Sequence, residues 1–334
     1  PLIGVNRAFV RQGLTVMGRR SRPGLVALSD VARVDTALKS YHLGYVLGPR
    51  VNAGGRIGAA DLGARLLATK DPNEAGQIAA RLDQLNDERR AIEAAVREEA
   101  MAQAERRGVE GPLVWAAAEG WHPGVIGIVA ARLKEATNRP SVVIALDGAE
   151  GKGSARSVAG VDLGAAIQRL AAEGLLIKGG GHRMAAGLTV ARDQLEPAME
   201  RLAALLSKQG ASIGGAGDLR LDGVLMPGAA TVELIESLDS AGPYGQAAPA
   251  PRFAFPSISI LDARRVGANH LKVRFGDIGG PQLEAIAFGA YDTALGPAVE
   301  GAGLAKLHLA GRVEINSFGG RNRVQLKLDD AARA

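Results

Sequence analysis

From residue 71 to residue 107, apolar side chains recur at Ile78, Leu82, Leu85, Ile92, Val96 and Met101 among Ala, Glu, Arg and Gln. Helical spacing filled with strong helix formers predicts one long helix, or two, closing near Gly108. The pattern then shortens. Leu113 to Ala118 and Ser141 to Leu146 are compact apolar runs that predict strands, and Val125 to Ala136 has helical periodicity. Up to about Gln209 the chain alternates strand, helix, strand, strand, helix, strand and helix, with Asp162 and Asp193 expected to cap helices running toward Glu173 and Lys208. Gly210 to Gly217 is dense in glycine and predicts a linker. Beyond it the period becomes two: Leu219 to Leu225, Phe253 to Asp262, His270 to Phe275, Leu283 to Phe288, Leu307 to Asn316 and Arg323 to Leu328 predict strands, with one helix from about Ala230 to Leu238. Five or so short antiparallel strands predict a small barrel. Residues 1 to 69 mix short apolar patterns with Gly, Pro and Arg, and predict helices and loops too few to close a domain.

Composition narrows the class. The 334 residues are 47% hydrophobic, enough for two or three cores, and contain no cysteine, which excludes disulfides and thiolate metal sites and suits a reducing cytoplasm. No apolar run is long enough to span a bilayer, so no membrane association is expected. Forty Lys and Arg against 35 Asp and Glu leave a net charge of +5, which favours a polyanion only where the charge is clustered. Aromatics at 4% argue against extensive base stacking.

Three segments carry candidate chemistry. In Gly179-Gly180-Gly181-His182-Arg183, backbone amides free of any Cβ lie beside a histidine and an arginine, a composition suited to a phosphate or to a tight turn. Gly151-Lys152-Gly153-Ser154-Ala155-Arg156-Ser157 supplies a guanidinium fork, Arg156, between two hydroxyls, Ser154 and Ser157. Gly120-Trp121-His122-Pro123-Gly124 places His122 where a helix opens, as an anion contact or a packed residue. Arg50 and Arg56 flank Asn52 in a glycine-rich turn, where they meet substrate or cap and solvate helices. His270, Lys272, Arg274, Arg321 and Arg323 fall on strands and a turn of the C-terminal region, as one basic face following a nucleic-acid backbone or as guards of strand edges.

These segments, with Leu47-Gly48-Pro49-Arg50-Val51-Asn52-Ala53-Gly54-Gly55-Arg56, the run Gly179 to Gly187 and Ala241-Gly242-Pro243-Tyr244-Gly245-Gln246, resemble the DHH phosphoesterase family, and in their order its single-strand-specific DNA exonuclease branch. The resemblance implies an α/β plus β architecture: residues 1–70 as the end of a DHH catalytic domain, 71–108 as a helical connector between two lobes, 109–209 as the DHH-associated substrate-binding domain, and 218–330 as an OB-like nucleic-acid-binding barrel. It implies phosphodiester hydrolysis from the 5′ end of single-stranded DNA in repair and recombination, with Mn²⁺ or Mg²⁺ in the longer parent enzyme. The Asp-His-His triplet that names the family is absent and the five histidines are scattered singly, so by this resemblance the chain follows the last metal ligand, supplies no catalytic residue or metal ligand and binds no metal itself. Phosphate binding falls to Arg156, Ser157, Ser154, His182, His122 and Gly179 to Gly181. DNA binding falls to Arg50, Asn52, Arg56 and the C-terminal basic residues. Single-stranded DNA is the expected partner of a cytoplasmic monomer, with a single-strand-binding protein and a repair helicase as candidate protein partners. Two other functions fit the same residues: a catalytically silent single-strand-binding module, and a phosphodiesterase acting on short oligonucleotides or cyclic dinucleotides.

Overall fold

A computed structural model describes residues 1–211, 218–318 and 321–334, with the side chains of residues 317, 318 and 321 outside the description; the expected linker therefore lies mostly outside it. Two compact units are present: Met17–Ala216, and Pro1–Val16 together with Gly217–Ala334.

In the first unit, helices α2 (Pro23–Val31), α3 (Gly48–Ile57) and α4 (Leu62–Ala68) pack on α5 (Pro72–Arg107); α1 (Val5–Gly18) falls almost wholly in the second unit. The long apolar period resolves as one helix of 36 residues. Asp71 accepts from the Asn73 amide at 2.9 Å, Pro72 occupies the first turn, where it sacrifices no hydrogen bond, and Gly108 ends the helix at φ 94°. Its first half buries Ile78, Leu82 and Leu85 against Leu28, Leu47, Ala53 and Leu66, and its second half buries Val96, Ala100 and Ala104 against the α/β sheet.

That sheet has the order β1 (Val114–Glu119), β2 (Ser141–Asp147), β3 (Glu150–Arg156), β5 (Ala185–Ala191), β4 (Lys178–His182), parallel between β1 and β2 and antiparallel elsewhere. Helix α6 (Pro123–Thr137) and α5 cover one face around Val143 and Ala145. Helices α7 (Leu163–Ala172) and α8 (Leu195–Ser207) cover the other, where Val142, Ile144, Leu188 and Val190 meet Ile167, Leu170 and Leu202. Asp162 caps α7, accepting from Ala165 N at 3.0 Å. Asp193 caps nothing. It lies inside a 3₁₀ turn, Arg192–Gln194, so Gln194 precedes α8 without a side-chain cap.

Two of the three expected loops are strands. Gly151 and Gly153 face the α7 side of β3, where a Cβ would come within 2.7 Å of Ile144 and Leu188 respectively. Gly179 faces the same layer on β4, with Ile167 at 2.7 Å from a Cβ. Glycine is required here by packing within a sheet, and its low strand propensity conceals the strand in the sequence.

The second unit is a closed barrel in the order β7 (Phe253–Val266), β8 (His270–Gly276), β9 (Gln282–Ala287), β11 (Arg321–Arg333), β10 (Leu307–Phe318), with β10 pairing back onto β7 and β6 (Gly223–Val224) added beside β7. β7, β10 and β11 are longer than expected, the expected strand Leu219 to Leu225 is reduced to the two-residue β6, and β9 and β11 run parallel rather than antiparallel. Phe255 and Phe275 meet edge to face at 5.4 Å in its core, among Leu271, Val273, Leu309 and Leu326. Helix α9 (Val232–Ser240) precedes the barrel and α10 (Leu295–Glu300), unanticipated, joins β9 to β10. The Ala241–Gln246 segment holds the N-terminus: Leu2 N donates to Gln246 O at 2.8 Å, Arg7 donates to Ala241 O, and Arg11 donates to Gly242 O and, at 2.8 Å, to Ser240 O.

Candidate phosphate-binding face

Strand alternation sorts β3 into two sets. Gly151, Gly153 and Ala155 point toward α7, and Lys152, Ser154 and Arg156 toward α6. The register continues these positions across the sheet as rows that share the α6-side face: Arg156, Ala185, His182; Ser154, Gly187, Gly180; Lys152, Thr189, Lys178. A Cβ on Gly180 would meet nothing within 4 Å, and one on Gly187 only the Gly153 carbonyl at 3.9 Å. The middle of this face is therefore a bare backbone floor bordered by Arg156, His182, Lys152 and Lys178. Neighbouring strands lie about 4.8 Å apart, so Arg156 and His182 stand about 10 Å apart at the backbone, and successive rows about 7 Å apart.

Helix α6 forms the wall. His122 is its N-cap, Nδ1 accepting from Gly124 N at 3.0 Å, so one ring nitrogen is committed to the helix while the residue stays exposed. Gly124 brings α6 against α3. A Cβ there would lie 2.1 Å from the Arg56 carbonyl, and Arg56 Nη1 donates to Gly124 O at 3.0 Å. Gly127 leaves room for the guanidinium of Arg156, whose Nη2 would be 2.9 Å from a Cβ at that position. Arg156 Nη1 donates to Ser154 Oγ at 3.0 Å and to Ala155 O at 2.8 Å.

The electrostatics of this corner are unusual for paired surface charge. Burial, and next the charge of Arg56, hold the Arg156 guanidinium below its ordinary pKa. Arg89 is lowered by burial as well, with Glu93 opposing and Arg56 adding to the shift. Arg89 is neutralised by Glu93 at 2.7 Å, whereas among the described residues neither Arg56 nor Arg156 forms an ion pair. Two guanidiniums that act on one another, with no ion-pair carboxylate among the described residues, leave positive charge uncompensated at this corner.

Other expected residues are placed differently. Ser157 is buried and its hydroxyl donates to the Val161 carbonyl at 3.0 Å, so it braces the loop after β3. The Gly179-Gly180-Gly181 run is an edge strand laddered to β5, not a nest of converging amides. Arg50 is engaged by Asp83 at 2.7 Å and by the Val46 carbonyl, while Asn52 is exposed. On the barrel, His270, Lys272 and Arg274 do share the outer face of β8, yet Lys272 pairs with Glu284 at 3.0 Å and Arg274 lies in register between Asp262 and Glu284. Arg323 is exposed in the outward phase of β11, and the Arg321 side chain lies outside the described residues. Sequence reading missed Lys152, Lys178 and the spacing role of Gly127. The alternation Lys-x-Ser-x-Arg within a strand was the available signal for the first. Among the described residues no three His, Asp or Glu side chains converge as they would around a metal ion. No helix among them is long and apolar enough to cross a membrane.

Residues 110–208 match the DHHA1 domain model and residues 221–330 the RecJ OB domain model. These two domains define the chain's class: a DHH-associated α/β domain followed by an OB barrel. At the level of single proteins, the chain is RecJ-like throughout. It is 39% identical to the single-stranded-DNA-specific exonuclease RecJ of Dickeya dadantii over 98% of its own length and 58% of that protein's, and 34% identical to that of Thermus thermophilus over 91% and 43%. The crystal structure of Thermus thermophilus RecJ in complex with Mn²⁺ superposes with a TM-score of 0.82 at 30% identity, covering all of this chain and 47% of that one. A second crystal structure of the same protein, with Mg²⁺, gives 0.84. The chain thus spans about half the length of the curated relatives it matches.

Proposed function

We propose that this chain is the strand-holding part of a RecJ-type, single-strand-specific 5′–3′ DNA exonuclease that hydrolyses phosphodiester bonds in repair and recombination. The observation that carries this reading is the unneutralised pair Arg56 and Arg156 at the corner of a glycine floor, in a domain of the DHHA1 class. Arg156 forks a phosphate, Ser154 orients that fork, and Arg56 adds the second charge. The floor of Gly180, Gly187 and Ala185 admits the sugar-phosphate backbone closely because nothing larger than the Ala185 methyl rises from it, and His182 takes its far end. Lys152 and Lys178 lie two rows, about 14 Å, from Arg156 and His182, so they meet a phosphate further along the strand. The catalytic Mn²⁺ or Mg²⁺ of the proposal comes from the relatives' structures; this chain's residues bind and orient the strand, and no metal ligand is assigned among them. The proposal keeps cytoplasmic placement, a monomeric chain, and a single-strand-binding protein and a repair helicase as partners.

A second reading rests on the same uncommitted cations: the 334 residues alone bind single strands without cutting them. The test uses 5′-labelled single-stranded and duplex DNA with Mn²⁺, Mg²⁺ or chelator, for this chain and for a longer polypeptide that includes an upstream DHH domain. Binding of single strands that weakens steeply with salt, and cleavage confined to the longer form, is the expected result. Salt-indifferent binding would overturn the phosphate reading, and chelator-sensitive cleavage by the 334-residue chain would place a metal site within it.

A further inference from the structure

One aromatic side chain of the barrel remains unexplained by packing. Strand β9 buries Ala285 and Ala287 inward, then presents Phe288, 60% exposed, in the outward phase of Glu284 and Ile286. Gly289, at φ 67°, turns the chain away directly after it. The ring is nevertheless held. His270 meets it edge-on with centroids 5.3 Å apart, and the imidazole is itself fixed by accepting from Gly289 N at 3.0 Å through Nδ1. Lys327 Nζ sits 5.7 Å from the ring centroid.

Around the barrel, Arg264, Lys272, Ile286 and Lys327 lie side by side in register on β7, β8, β9 and β11. Lys272 is committed to Glu284, and Asp292, on the turn after Phe288, is taken by Asn269 at 2.5 Å. Arg264 and Lys327 form no ion pair among the described residues. A fixed, exposed ring with Lys327 beside it and Arg264 two strands away on the same outer face is a pairing that single-stranded nucleic acids use, a base stacking on the ring while phosphates along the strand meet the cations. The place is also right: β8 and β9 are the second and third strands of a five-stranded OB barrel, the face that binds oligonucleotides in this fold.

We propose that Phe288 is a stacking site for a nucleobase of single-stranded DNA, with Lys327 and Arg264 on phosphates along the strand and His270 holding the ring in position. The inference rests on the single-strand reading above and adds to it a second, base-contacting site on the other compact unit.

The experiment titrates the full 334-residue chain and its Phe288→Ala, Phe288→Trp and Arg156→Ala variants with an oligothymidylate of about 15 nucleotides, following anisotropy and tryptophan emission. Phe288→Ala is expected to bind about tenfold more weakly with an unchanged melting temperature. Phe288→Trp is expected to keep the affinity and to show quenching on binding beyond that of Trp115 and Trp121 in the unmodified chain. Unchanged affinity in Phe288→Ala, or no added quenching in Phe288→Trp, overturns the inference, frees the face for a protein partner and leaves the single-strand reading intact. If Phe288→Ala fails to fold, the tryptophan variant alone decides. Absence of binding by the unmodified chain overturns both readings. A loss confined to Arg156→Ala overturns only this one.

Discussion

The α6-side face of the α/β domain and the outer face of the barrel both carry basic side chains and treat them differently. On the barrel, Lys272 is tied to Glu284, Arg252 and Arg312 share Asp329, and Arg274 lies between two acidic neighbours in register. On the α/β face, burial and then the charge of Arg56 lower the Arg156 pKa, and among the described residues neither arginine forms an ion pair. An exposed ion pair contributes about 0–1 kcal/mol and leaves little charge for a ligand. An uncompensated, half-buried guanidinium costs desolvation that only an incoming anion relieves. Pairing, more than the count of lysines and arginines, separates a cation with charge to spare from a solvated one, and on the barrel it sets Arg264 and Lys327 apart from Lys272, Arg252 and Arg312.

The contrast breaks most visibly if the arginines are exchanged in importance. Arg156→Ala is expected to lower single-strand affinity by about 10- to 100-fold, the effect of losing one or two charge-assisted hydrogen bonds, and Lys272→Ala by less than about threefold. Equal losses in a salt-controlled titration would remove the distinction. A pair of glycines sharpens it at the next level. Gly164→Ala forces a Cβ to 2.8 Å from the His182 backbone and should cost about 1–3 kcal/mol in a denaturant melt. In Gly187→Val the Cβ meets only the Gly153 carbonyl at an ordinary 3.9 Å, so stability should change by less than about 1 kcal/mol while single-strand affinity falls about tenfold, because the branched side chain stands on the floor. Retained affinity in Gly187→Val would move the strand elsewhere. The smallest effect concerns charge that serves structure alone. Hydrogen bonds from Arg201 and then Arg169 hold the Glu173 carboxyl at about 2, below its ordinary 4.5. Its contribution to stability is therefore complete above pH 4.5 and lost as the pH falls toward 2. Glu173→Gln should flatten that part of the melting-temperature profile without changing affinity at neutral pH.

Much of the fold is legible because it rests on local rules. The α5 period with Asp71, Pro72 and Gly108, the α6 opening at His122 and the Asp162 cap are written in adjacent residues. What escaped depends on distant partners. Gly151, Gly153 and Gly179 read as loop residues because a glycine's own preference is weak in strands, while the reason for each is an isoleucine or leucine from another element. The parallel pairing of β9 with β11 leaves no local trace. At the site, Arg156 and Ser154 were legible as chemistry, but the proximity of Arg56, 100 positions earlier, exists only through Gly124. Ser157 shows the converse: a hydroxyl beside the right arginine, turned inward by a single residue step.

The barrel closes on itself, so its strands leave little backbone unpaired; the α/β sheet ends in the five-residue strand Lys178–His182. Such an edge invites another chain to add a strand and begin a fibril. Three consecutive glycines make that edge a poor template, since they offer no side chains to interlock and lose the most freedom when ordered. The composition that leaves the floor bare for a ligand thus also protects the protein from its own copies, and β-branched residues at Gly179, Gly180 and Gly181 would compromise solubility as well as binding.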